Sequence, residues 1–118
     1  MNHELRNKLL TPVLYSYEGV SEIIKHHAQD DSLLQKVLSK GVESLTPEEV
    51  STVLTVFSLH HSKLLQFEDS VQKAMKYLVA DEEAMKTLSD IKASYTDFLP
   101  MLNHIFTLAK KQSVKEGV

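Results

Sequence analysis

Ser44-Leu45-Thr46-Pro47-Glu48-Glu49-Val50-Ser51-Thr52-Val53-Leu54 reads as the start of a helix at every position. Thr46 can cap with its hydroxyl, and Pro47 suits the first helical position, where its missing N–H has no partner to lose. Glu49 can reach back to the Thr46 N–H and close a capping box, and Leu45 can staple onto Val50. Val50, Val53, Phe57, Leu64, Val71, Met75 and Leu78 then recur on one stripe, which predicts a helix over 47–79. Its middle, Phe57 to Ser62, is poor in strong helix formers, so a bend or break is expected there.

Upstream, Leu9, Val13, Tyr17, Val20, Ile24 and His27 fall at three- and four-residue steps and predict a helix over 3–28. Pro12 removes a hydrogen bond from its interior, so a kink is expected, or a fresh start capped by Thr11. Gly19 costs about 1 kcal/mol relative to alanine in a helix, and its small size suits close approach of a neighbouring helix. A short helix over 32–40 is framed by the Ser32/Gln35 capping pair and by Gly41 at its C-terminus. Downstream, Asp81 can cap a last helix that begins with Glu82 and Glu83 and reaches about Lys111, with a kink near Pro100.

Several apolar stripes joined by short connections predict an all-α fold, an antiparallel bundle of about four helices. The whole chain, 1–118, is expected to be a single domain, with 112–118 as a frayed tail. Apolar residues make up 42% and charged residues 25%, which places the chain with globular proteins rather than disordered ones. No apolar run reaches the length of a membrane span, and the first residues lack a secretion signal, so the expected setting is cytoplasmic, without membrane contact. The absence of cysteine excludes disulfides, thiol catalysis and thiolate metal sites. Net charge is −3, and Arg6 is the one arginine beside twelve scattered lysines, which disfavours nucleic acid as a partner.

Six histidines, His3, His26, His27, His60, His61 and His104, are the natural place to seek a site. Projected at about 100° per residue from Leu64, His60 lies about 40° to one side, His61 about 60° to the other, and Glu68 about 40° away. All three belong to the edge of the apolar face. With Glu22 and His26, one helical turn apart, they form the candidate set for a His/Glu metal-binding bundle. Di-iron bundles place Glu-x-x-His pairs on two helices, and hemerythrin-like bundles need His-x-x-x-Glu and His-x-x-x-His. None of these spacings occurs here, and no cofactor is expected. His104 points away from its helix's stripe and is expected to be solvated.

His3-Glu4-Leu5-Arg6-Asn7-Lys8-Leu9 resembles the phosphoacceptor stretch of sensor histidine kinases. The resemblance implies a phosphotransfer or dimerisation module in which His3 accepts the phosphoryl group and Glu4 assists as a base. It covers seven residues, Lys8 stands where that family usually has proline, and no glycine-rich nucleotide-binding half follows.

Because no constellation for hydrolysis or group transfer is present, the leading expectation is a non-enzymatic protein–protein interaction module. It would hold a protein partner, or a second copy of itself, through an exposed apolar helix face. Leu59 and Leu65 fall well off the stripe of their helix, and Met101 lies about 100° from Leu102, so these three are the candidate interface.

Overall fold

The computed structural model describes residues 3–115. The helices are α1 (His3–Ala28), α2 (Leu33–Lys40), α3 (Pro47–Tyr77), α4 (Glu82–Tyr95) and α5 (Phe98–Lys115), with a 3-10 turn at Val42–Ser44. No strand occurs among the described residues.

The capping box that opens α3 is complete. The Glu49 N–H donates to Thr46 Oγ1 at 3.1 Å, and the Thr46 N–H donates to Glu49 Oε1 at 2.9 Å. The same carboxylate oxygen accepts from Lys36 Nζ at 2.8 Å, which ties α2 to the start of α3. Ser32 caps α2 by accepting from the Gln35 N–H, and Gly41 ends it at φ 85°, a backbone conformation that side chains resist. Asp81 caps α4. These ends follow from local residue chemistry, and they fall where the sequence places them.

The helix interiors differ from expectation, or narrow it, in three places. Helix α3 is unbroken through 57–62, because Phe57 and Leu64, 1% and 0% exposed, bury both sides of that weak stretch and packing outweighs propensity. Helix α1 runs through Pro12 with Thr11 inside it rather than capping a new start. Pro12 is exposed, so water can take the carbonyl that the missing N–H leaves free.

The last segment is divided at Thr96–Asp97, four residues before Pro100. A proline ring excludes the carbonyl four residues earlier, which places the interruption at Thr96 and leaves Pro100 in the first turn of α5, where no N–H is needed. Helix α5 then continues to Lys115, so much of the tail expected to fray is helical, with Gln112 and Ser113 half-buried. Residues 116–118 of that tail lie outside the described residues.

Two sets of contacts give the topology. Arg6 meets Asp81 and Tyr17 meets Ser94, so α1 and α4 run in the same direction. Tyr17 stacks on Phe67 and His27 meets His60, so α1 is antiparallel to α3. The central α3 therefore opposes both neighbours, and the bundle is an elongated 58 × 25 × 17 Å. Val13, Val53, Leu64, Val71, Leu88 and Leu102 are at most 1% exposed along its axis. Each such aliphatic side chain contributes roughly 1.5–3 kcal/mol by leaving water.

Candidate functional site

Two polar centres sit along α1, one in its first turn and one in its last. In the last turn, His27 occupies a core position of the apolar stripe and is 2% exposed. Its ring meets Phe57 edge-on at 4.8 Å between centroids and His60 at 5.0 Å, with Phe98 of α5 at 5.7 Å. His27 Nε2 lies 2.8 Å from His60 Nδ1, a hydrogen bond in which one neutral ring donates and the other accepts. His26 adds a third imidazole, 6.4 Å from His60.

Burial, then the charges of His60 and His26, lower the His27 pKa to about 4. The His60 pKa is also lowered, by burial first and then by His26 and Lys63. His27 Nδ1 is buried with no hydrogen-bond partner among the described residues. A buried polar atom left unpaired opposes folding, so this junction is not fully satisfied.

The fold brings together His26 and His60 from the candidate metal set and leaves the others apart. His61 lies about 100° round α3 from His60. Glu68 accepts from Gln72 Nε2 at 3.1 Å on α3 itself, and Glu22 is exposed, 3.8 Å from Lys25. Among the described residues no three His, Asp or Glu side chains are grouped to hold a metal ion. His27, the centre of the cluster, was legible as a stripe residue but not as a partner of His60. His3 is exposed at the first residue of α1, and His104 is exposed on α5.

At the other end of α1, the single arginine is committed to the fold. Arg6 Nε and Nη2 donate to Asp81 Oδ2 and Oδ1 at 2.6 and 2.8 Å, a two-point grip matched to the carboxylate. Asp81, 2% exposed, also accepts from the Ala84 N–H at 3.1 Å as the cap of α4. The Arg6 hydrogen bonds, followed by that N–H, hold the Asp81 pKa below its ordinary value.

A third buried polar group, the Tyr95 hydroxyl, has no partner among the described residues. Burial, then the charge of Glu68, pushes its pKa up to about 12.

The surface has two concavities of interest. A groove of about 410 Å³ runs between α1 and α3, with Val20, Ile23 and Phe67 as its apolar lining and Ser16, Gly19, Lys63, Gln66 and Ser70 as its remaining walls. A Cβ added at Gly19 would meet nothing within 4 Å among the described residues outside its own turn of helix. A smaller cleft of about 130 Å³ lies where α1, α2 and α5 meet, lined by Ile24, His27, Leu34, Leu38, Phe98 and Met101 among others.

Of the three candidate interface residues, Leu59 is 54% exposed and Leu65 48%, but they point about 120° apart round α3 and share no patch. Leu59 continues the row of Lys63, Gln66 and Ser70 along the groove at helical spacing. Met101 is half-buried in the separate cleft. Among the described residues no helix is long and apolar enough to cross a membrane. No protein-family model, no curated protein and no solved structure matches the chain.

Proposed function

We propose that this protein is a non-enzymatic interaction module that takes a helical segment of a protein partner into the groove between α1 and α3. The observation that carries this reading is Gly19. A glycine inside a helix costs about 1 kcal/mol relative to alanine. Its usual compensation is a turn or a close neighbour, and among the described residues no neighbouring element comes within 4 Å of where a Cβ would stand. Together with Ser16 one turn earlier, it leaves the α1 wall low enough for another backbone to approach. The apolar floor of Val20, Ile23 and Phe67 supplies the burial that would drive docking. Leu59 extends that surface, while Lys63 on α3 and Glu18 and Glu22 on α1 supply charges of both signs at the rim.

The test uses a photo-crosslinking residue placed at Gln66, inside the groove, and separately at Leu65, outside it. A partner crosslinked through position 66, not through 65, and lost when Gly19→Trp fills the groove, is the expected result. Because a Cβ at position 19 meets nothing within 4 Å and glycine is the poorer helix former, Gly19→Trp should keep its helical content and melt no lower than the parent chain. A partner that crosslinks through Leu65 alone, or binds Gly19→Trp as well as the parent chain, defeats the reading.

A further inference from the structure

The histidine junction is mechanically tied to the helix that follows it. The backbone carbonyl of His27 accepts from Ser32 Oγ at 2.8 Å and from Gln35 Nε2 at 3.3 Å. Ser32 is in turn the N-cap of α2, accepting from the Gln35 N–H at 3.2 Å. Helix α2 has eight residues, too few to persist without packing, so its order depends on this corner and on burial of Leu34 and Val37.

We infer that His26, His27 and His60 form a proton-operated latch, in which the neutral His27–His60 hydrogen bond keeps α2 seated on the bundle and proton uptake releases it. The hydrogen bond needs one ring to accept, so it cannot survive protonation of both. His27 is too buried to carry a charge where it sits and must swing outward to reach water, taking its carbonyl and the α2 cap with it.

The surrounding groups reinforce the release. His26 on α1 and Lys63 on α3 are the groups whose charges act on His60, and His60 and His26 are those acting on His27. From α2, Ser32 and Gln35 meet the junction, and from α5 Phe98 does, none of them charged. Among the described residues no carboxylate offsets a positive charge on either ring. Release uncovers Leu34 and the apolar cleft beside Phe98 and Met101, so acidity would expose a sticky surface at this corner. The latch does not depend on the α1–α3 groove.

The experiment follows backbone amide exchange in α2, corrected for the intrinsic effect of pH on exchange, from about pH 7 to about pH 4.5. If the released form takes up one proton that the seated form refuses, its population rises by up to about tenfold per pH unit below 6.5, approaching about a hundredfold at 4.5. The parent chain and His104→Gln, which alters an exposed histidine, should both show this rise. His27→Phe, which keeps an aromatic ring against Phe57 and Phe98 but cannot be protonated, should lose most of the rise, keeping only what His60 contributes. No rise in the parent chain, or the same rise in His27→Phe, overturns the latch. Should His27→Phe fail to fold, imidazole ¹⁵N shifts of the parent chain decide: protonation of His27 in step with α2 exchange supports the latch, and protonation with α2 still protected refutes it.

Discussion

The first and last turns of α1 hold polar groups in opposite ways. Arg6 and Asp81 are both charged, and Asp81 is bonded by two guanidinium nitrogens and by the Ala84 N–H that it caps. His27 and His60 share a single hydrogen bond, and one nitrogen of His27 is left over. A satisfied charged pair fixes a register, whereas a half-satisfied neutral pair is lost once both rings take up protons. The first centre therefore reads as a fastening and the second as a hinge point.

Removing one partner from the fastening should have the largest effect. Asp81→Ala leaves the partly exposed Arg6 with only the more distant Glu83 carboxylate, at 3.7 Å, and uncaps α4 as well, and should lower the melting temperature by about 5 °C. Replacing both partners, with Arg6→Leu and with Asp81→Asn retaining the cap, should cost less than Asp81→Ala alone, because no uncompensated charge remains. Equal losses in calorimetric melts of the two proteins would show that the pair is not the fastening described.

Acid should separate the two centres. The unfolded chain binds a proton on His27 near its ordinary value of 6.5 and the folded chain only near 4, so His27's contribution is complete above pH 6.5 and drains as the pH falls toward 4. Up to about 3 kcal/mol is lost across that window, with no further loss from His27 below it. The Asp81 carboxylate is shifted the other way relative to its charge: its contribution is present above its ordinary value of 3.8 and drains only below it. Urea midpoints measured against pH should thus fall in two stages, and His27→Phe should shrink the first to the part that His60 contributes and leave the second unchanged. A profile flat down to pH 4.5 in the parent chain contradicts the assignment.

The smallest effect is expected at Tyr95, the other unpaired buried group. Tyr95→Phe removes a hydroxyl with no partner and keeps the ring against Phe67, so stability should be unchanged or rise by up to about 1 kcal/mol in urea unfolding. A loss greater than about 1 kcal/mol would mean that the hydroxyl is bonded after all.

What could be read from the sequence was what depends on neighbours along the chain. The Thr46/Glu49 box, the Ser32 and Asp81 caps and Gly41 each rest on residues within a turn or two. The Pro100 effect was legible in kind but displaced, because the ring acts on the carbonyl four residues back. The expected weakness in α3 failed because its cost is small beside the burial of Phe57 and Leu64. The site was less legible. Arg6 and Asp81 are 75 residues apart, and His27 finds His60 only through the register that residues 29–46 set between α1 and α3. His60 could be named as a polar residue near an apolar edge and His26 as a ligand candidate one turn from Glu22, but the stripe itself held the ring that joins them. The α1–α3 groove is a space between two helices, and no residue spells a space except, in retrospect, Gly19.

The most direct test of the contrast is the protonation state of His27, read by long-range ¹H–¹⁵N correlation of its ring at pH 5.5, one unit below the ordinary histidine value. The account predicts a neutral ring with one nitrogen bonded to His60. A charged His27 at that pH, in a chain that is still folded, contradicts it.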